Sequence, residues 1–445
     1  MSDEETLYDF NTNNSNVLEL DNRFIEEDNR ELDSRWGSLP DDLIDRILAW
    51  LPLPSFFGFR SVCRRWNDIL YSPSFYQLCS CVPQTIPWLI ISAYESCKTS
   101  ATYDPLTNRW YMYKFPTNIC CGGKNNNNNN LSHPIAAADG LLCSSMFQDG
   151  SEYLLICNPM TRACTKPVPI PVNCDNVLAG MIVDKKTRTY QVILAECKSY
   201  SRTNIEVSSV SSSSSSDTEL EEAEYCEVCT FIYDSRKPST WRNGANFVIE
   251  GHLDVGSATC NNILYFITHG AYKPNGLIAY DVTYNRWRRI NVTMPRLLLY
   301  AYLVDHHGHL LMIGGLGKFS VTTKIWIWKL DTSDDDWVLI GKLPPKLFKE
   351  FFSMTPSKYF MCAGQGNLLY LCAYKSTKCL VYNIYQKNWH FLPPCPLLVK
   401  YPSVTPSGFC FEPRLDGSVL GKFQPDPKSI CINNSFRNCM KWKDL

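Results

Sequence analysis

No apolar run in the chain reaches the roughly 18 residues that a membrane-spanning helix needs. An excess of one charge sign is missing too. Lys and Arg number 43 against 44 Asp and Glu, a net of −1, so no overall basic field points to nucleic acid or an acidic membrane. The opening "MSDEETLYDF" has neither a basic n-region nor an apolar h-region. No signal peptide is therefore expected, the chain is read as not secreted, and without a strong basic cluster both nucleus and cytoplasm stay open. The 21 cysteines are an odd number, which argues against a full disulfide framework. Cys143, Cys157, Cys372 and Cys410 lie within apolar runs and read as small buried hydrophobes.

Catalytic motifs are scarce as well. There is no Walker A loop, no GxSxG and no HExxH. Cys226-Glu227-Val228-Cys229 is a CxxC without the second pair that a four-ligand zinc site requires. His306-His307-Gly308-His309 falls between two apolar runs and reads as a hairpin turn. No catalytic residue, metal or cofactor is expected.

What is present is a repeat. "YDPLTNRW" sets Asp104 six residues before Trp110, and the same interval separates Asp281 from Trp287, Asp331 from Trp337 and Asn383 from Trp389. Asp234 precedes Trp241 by seven, and Asn158 keeps the turn with Cys164 in place of the aromatic. Each copy reads as a hairpin in which an apolar strand ends on a turn-bonding Asp or Asn and the next strand starts at Trp. The anchors 104, 158, 234, 281, 331 and 383 lie 54, 76, 47, 50 and 52 residues apart. Earlier strands recur in each unit as "DGLLCSS", "NNILYFI", "GHLLMIGG" and "GNLLYLC". Four strands per unit at a period near 50 predict an all-β propeller over residues 82–416. Six blades are expected. A seventh stays open, because residues 82–95 and 407–415 could supply split or closing strands.

Two low-complexity stretches interrupt the pattern. A run of six Asn at 125–130 lies within 124–131, and the Ser-rich, then acidic 208–224 lies within 198–224 and accounts for the long interval. Both read as loops between blade strands, and the serines ahead of acids resemble sites for an acidophilic kinase. Residues 1–35 carry eleven Asp and Glu against three Arg and are expected to be a disordered acidic arm. Residues 417–445 form a C-terminal tail.

Residues 36–80 have helical periodicity. Ser38 and Asp41 suggest a capping box, Pro40 suits a first turn, and Leu43, Ile44, Ile47, Leu48 and Leu51 form one apolar stripe. Phe56, Phe57, Phe59, Val62, Cys63, Trp66, Ile69 and Leu70 extend it. That is more apolar surface than about 45 residues can bury, so part of it should meet a partner.

This segment resembles an F-box, through Leu39-Pro40, the Leu43/Ile47/Leu51 helix, Leu51-Pro52, Val62-Cys63-Arg64 and Trp66. "HLLMIGGLGK" at 309–318 resembles the double-glycine strand of a kelch repeat, with Gly314 and Gly315 admitting close backbone packing. The two together resemble the plant F-box/kelch-repeat family. "PQTIPWL", "ICNPMT" and "GFCFEPRL" resemble its subgroup containing Leaf Curling Responsiveness, Hawaiian Skirt and Unusual Floral Organs. The resemblance implies a small all-α F-box followed by a degenerate kelch-type propeller. It implies a non-enzymatic substrate receptor of a Skp–cullin–F-box (SCF) ubiquitin ligase with a role in plant organ development. It places Leu39, Pro40, Leu43, Ile47, Leu51, Pro52, Val62, Cys63 and Trp66 at or near the groove of a Skp-type adaptor.

Propellers recognise partners through loops at one end. "MPRLLLYAY" and "LPPKLFKEFFSM" follow corresponding hairpins and put Arg296, Tyr300, Lys349 and Phe351 forward as substrate-binding residues; blade-to-blade packing is their structural alternative. Rival functions are a scaffold that binds the adaptor without delivering a substrate, a cytoskeletal kelch protein that needs no F-box, and a propeller oxidase with a copper site.

Overall fold

Every one of the six Asp/Asn anchors closes the hairpin between the third and fourth strands of its own sheet. The side chain of Asp104, Asn158, Asp234, Asp281 or Asp331 accepts a hydrogen bond from the backbone N–H two residues on, at 2.9–3.0 Å, and Asn383 accepts from Gln386 N at 3.0 Å. Four residues after the anchor the chain turns through a positive φ at Asn108, Asn285, Asp335 and Lys387. The residue before the anchor then faces the tryptophan across the ladder, as in Tyr103↔Trp110, Tyr280↔Trp287 and Tyr382↔Trp389. Those ring pairs lie 5.2, 4.9 and 4.5 Å apart, the separations at which aromatic pairs attract beyond their buried area.

The computed structural model describes residues 39–59, 61–69, 72–83, 86–93, 100–113, 132–148, 151–161, 163–172, 177–200, 225–238, 240–254, 256–270, 273–355 and 358–419. The acidic arm, the Asn run, most of the Ser-rich insertion (201–224), Ser38, Leu70 and residues 420–445 lie outside them. The chain divides into two compact units, Met1–Val82 and Pro83–Leu445.

The second unit is a ring of six antiparallel sheets. Blades II to VI use chain segments 132–169, 177–250, 252–290, 298–342 and 360–391. Within a blade the strands run outward in chain order, and the innermost strands touch from blade to blade around the whole ring. Blade I is the exception. Its second to fourth strands are Trp88–Ala93, Ser100–Asp104 and Arg109–Tyr113, while its first is Pro406–Phe411 from the other end of the propeller. That strand pairs in register from Trp88↔Phe411 to Ala93↔Pro406. Strands from within 82–95 and 407–415 thus share blade I, and the described residues form six blades with no seventh. The apolar core lies in layers between successive blades, each layer drawing on two sheets.

Tryptophans join the blades. Trp110 Nε1 donates to Pro393 O at 2.8 Å, Trp241 Nε1 to Pro169 O at 2.8 Å and Trp287 Nε1 to Ala245 O at 2.9 Å. Each acceptor belongs to the preceding blade or to the connection that leaves it, so in these three blades the repeat's tryptophan also ties its blade to the one before, whereas Trp337 Nε1 is buried without a hydrogen-bond partner.

Beyond Phe411 the chain continues as a clasp over blades II and III. Arg188 Nη1 donates to Asp416 O at 2.8 Å, and Tyr190 Oη donates to Val419 O at 3.0 Å. Arg414 lies against Asp416 at 2.9 Å, with Asp139 and Glu412 each at 3.9 Å. Asn158 accepts from Met160 N through Oδ1 and donates through Nδ2 to Arg414 O at 3.0 Å and Gly417 O at 2.9 Å. An Asp would serve the turn equally well but cannot donate, which explains the amide at this anchor. Asn158→Asp is expected to lower unfolding free energy by about 2–4 kcal/mol, because a buried carboxylate would face two carbonyls. Denaturant unfolding checks this, with Asn383→Asp as the comparison at an anchor for which no such donation is seen.

The structure corrects two details of the sequence reading. Pro40 precedes the first helix as its N-cap, with no side-chain cap bond, instead of lying within the first turn. Gly314 and Gly315 make room for side chains: a Cβ at 314 would lie 2.3 Å from Leu298 Cδ1, and one at 315 would lie 2.8 Å from Tyr300 Cζ.

Candidate functional site: an unburied apolar face and a propeller end

The first unit has helices α1 (Asp41–Trp50), α2 (Leu53–Phe59), α3 (Arg64–Asp68) and α4 (Pro73–Cys81). Ile44, Leu48, Phe56, Ile69, Phe75, Tyr76 and Cys79 are buried, with Phe56 stacked on Phe75 at 5.5 Å. Arg65 ties α3 to α1 through Asp41 at 2.6 Å and Asp45 at 2.9 Å. Cys63 caps α3 by accepting from Trp66 N at 3.5 Å.

The single apolar stripe read for α1 resolves into two. Successive residues of a helix point about 100° apart, so Leu43 and Ile44 cannot share a face. Ile44 and Leu48 point into the unit, while Leu43, Ile47 and Trp50 recur at spacings of four and three along the other side and are 42, 41 and 62 % exposed. Phe59 and Val62 add 42 and 59 %. Pro40, Pro52 and Cys63 are exposed, and Leu39, Leu51 and Trp66 are half-buried, with Trp66 edge-on to Phe59 at 5.8 Å. Six of the nine residues named as adaptor-binding are therefore exposed. Trp50 and Phe59 are exposed apolar residues of the same unit that are not among the nine. The spacing from Leu43 and Ile47 was the signal for Trp50.

In the propeller, turns between first and second and between third and fourth strands fall at one end. Second-to-third turns and the connections between blades fall at the other. A cavity of about 820 Å³ runs among the innermost strands of all six blades, with Asp139, Lys185, Asp305 and Glu412 on the side of the short turns. His306-His307-Gly308-His309 forms one of these turns, with positive φ at His307 and Gly308.

The four propeller residues put forward for substrate binding separate into two pairs. Arg296 and Lys349 are exposed at the end that carries the connections. Tyr300 instead lies on the innermost strand of blade V, Leu298–His306, and its hydroxyl meets Thr322 Oγ1 at 3.1 Å and Lys358 O at 2.9 Å. Phe351 is fully buried on helix α5 (Pro345–Phe351) between blades V and VI. Phe351 lies in a connection between blades, as expected, whereas Tyr300 lies on a strand; both pack in the layer between two sheets, the structural alternative, where an aromatic buries most area.

Other reactive groups have packing roles. Cys226 and Cys229 are buried on the strand Tyr225–Asp234, and Cys143, Cys157 and Cys372 are buried elsewhere in the propeller. Cys410 is half-buried. A bond to the Cys197 thiol, and then burial, push the Cys226 thiol far up, while Cys197, on the receiving side of that bond, is lowered. Among the described residues no group of three or more His, Cys, Asp or Glu could hold a metal, and no helix is long and apolar enough to cross a membrane.

A helical unit that leaves an apolar face open, followed by a six-bladed propeller, defines a two-module binding protein. Residues 36–78 match the F-box domain, and residues 85–390 match the F-box associated beta propeller domain. The chain belongs to the F-box associated β-propeller family. It is 29 % identical over 394 residues to an F-box/kelch-repeat protein of Arabidopsis thaliana, a similarity covering 85 % of this chain and 89 % of that one. To the protein Unusual Floral Organs of the same plant it is 23 % identical over 426 residues, covering 88 and 85 %. To the Arabidopsis SKP1-interacting partner 15 it is 24 % identical over 409 residues, covering 85 and 97 %.

Proposed function

We propose that this chain is the substrate-recognition subunit of an SCF-type ubiquitin ligase. The F-box docks on a Skp-type adaptor and the propeller captures a protein substrate. The observation that carries this reading is the exposed set Leu43, Ile47, Trp50, Phe59 and Val62, five large apolar side chains that one small domain leaves in water for a partner to cover. The relative called SKP1-interacting partner 15 supports the choice of adaptor, and the relative named for floral organs supports a process in plant organ development. The chain contributes no bond-making group. It acts by position, raising the effective concentration of a substrate lysine near the ubiquitin carrier held elsewhere in the complex. Residence in nucleus or cytoplasm follows from that partnership.

The test is co-purification with a plant Skp-type adaptor. The intact chain is expected to retain the adaptor, and Leu39→Ala/Pro40→Ala/Ile47→Ala is expected to lose it, with matching circular dichroism for both. Failure of the intact chain to bind would leave the helical unit as a packing module and overturn the reading. Adaptor binding without self-ubiquitination in a reconstituted ligase would favour a scaffold.

A further inference from the structure

The second and third strands of blade V, His309–Lys318 and Val321–Asp331, are joined by the two-residue turn Phe319-Ser320. Both residues have positive φ, 51° and 58°. Such a turn suits Asn-Gly, and a bulky aromatic pays a steric cost there. Yet Phe319 is 96 % exposed and packs on nothing of its own chain. Neither folding nor solubility gains from it.

The charge around Phe319 is of one sign. Lys318, Lys324, Lys342, Lys346 and Lys349 are exposed and Lys358 is half-buried. Across segments 291–299, 314–327 and 341–360 the one carboxylate is Glu350. The acids of blade V, Asp305 and Asp331 with the three that follow it, lie in turns at the opposite end. Three of the lysines lie near aromatic rings. Lys324 and Lys342 both sit over the Trp326 ring, at 5.8 and 4.7 Å. Tyr300 Oη bridges Thr322 Oγ1 to Lys358 O, and Lys358 Nζ lies 5.5 Å from the Phe348 ring of α5. Gly317 N donates to Leu297 O at 2.9 Å, which brings Leu297, 54 % exposed, to the base of the hairpin. Met354, just past α5, is 77 % exposed.

We propose that the Phe319 hairpin and α5 form the docking surface for an acidic, extended segment of the captured protein, with Phe319 as the apolar anchor. The proposal rests on the substrate-receptor reading and names its substrate class. Charge complementarity selects the occupant: exposed lysines and an exposed aromatic share this end of blade V, so the segment carries several carboxylates and an apolar side chain between them. A nucleic acid fits less well. The whole chain is slightly acidic, the cations are almost all lysines, and Leu297, Val321 and Met354, exposed at the same end, are not aromatic and give bases nothing to stack on.

The experiment uses the full chain co-expressed with its adaptor and reads fluorescence anisotropy. The probes are a labelled peptide of Glu and Asp around one central Phe, the same peptide with Ser for that Phe, and an oligothymidylate of matching length. The Phe peptide is expected to bind more tightly than the Ser peptide and to weaken as salt rises. Lys318→Glu/Lys324→Glu/Lys349→Glu is expected to weaken it at least about tenfold. Phe319→Asn, which suits the turn and should keep or raise thermal stability, is expected to weaken the Phe peptide about tenfold and leave the Ser peptide unchanged. No binding by the intact chain, equal binding by the variants, or tighter binding of the oligothymidylate overturns the proposal. Binding that shows only after removal of residues 1–35 also overturns it, in favour of the chain's own acidic arm. Adaptor co-purification, measured on the same samples, reports separately on the ligase reading.

Discussion

A chain ending before Pro406 is expected to lose its cooperative unfolding transition and to be cleaved rapidly by protease, whereas one ending at Leu420 should behave as the full-length protein does. The strand Pro406–Phe411 supplies the inner edge of blade I. Without it, Leu89, Ile90 and Ile91, now at or below 1 % exposure, would line an open gap in the ring. The neighbouring contacts of blades II and VI with that strand would go with it. Loss of one blade's inner strand removes two inter-blade layers at once. The expected cost exceeds the roughly 5–15 kcal/mol by which a domain is stable, so a globally unfolded or aggregated product is expected in place of a small shift. Limited proteolysis and urea titration of the two truncations decide the matter. A cooperative transition in the shorter chain would show that the five remaining blades hold together without closure.

Ile44→Asp and Ile47→Asp are expected to fail in opposite ways although they lie three residues apart on α1. Ile44 is 5 % exposed and packs inside the helical unit. A carboxylate there should cost about 3–5 kcal/mol and melt the unit, taking adaptor binding with it. Ile47 is 41 % exposed, so its substitution should leave helicity and the melting curve unchanged. If the exposed face is the adaptor site, Ile47→Asp should still weaken adaptor affinity by about a hundredfold or more, since it would bury an unpaired charge in an apolar interface. Circular dichroism with calorimetric titration of the adaptor separates the two. Full affinity in a folded Ile47→Asp protein would move the docking site off this face.

Much of the propeller was legible because its turns solve one chemical problem repeatedly. An Asp or Asn that accepts from the turn backbone, a positive-φ residue four positions on and a tryptophan two further on leave a fixed mark on the chain, and six marks imply six blades. The place where the mark weakens was less legible. Asn158 lacks its tryptophan, and only the structure shows that its amide serves the clasp instead. Tyr300 and Phe351 looked like interface residues because aromatics and arginines carry binding energy, but the same bulk fills layers between blades, and sequence spacing does not distinguish the two. On α1 both faces are apolar, so periodicity marked the helix without marking which side turns inward. Phe319 gave no signal at all. "GKFSV" has no Gly, Asn or Asp at the two central positions that a tight hairpin turn prefers to fill with them, and the strain of the turn appears only in its dihedral angles.

The pairing of Trp88–Ala93 with Pro406–Phe411 also fixes an order of events during synthesis. The first of these strands leaves the ribosome about 300 residues before its partner. At roughly 5–20 residues per second its apolar edge waits on the order of 15–60 seconds, a period in which an unpaired strand can recruit a neighbouring nascent chain. Blade I is therefore the first sheet begun and the last one finished. A premature stop anywhere upstream of Pro406 should yield a chain bound by chaperones and degraded, rather than a shortened protein that persists in the cell.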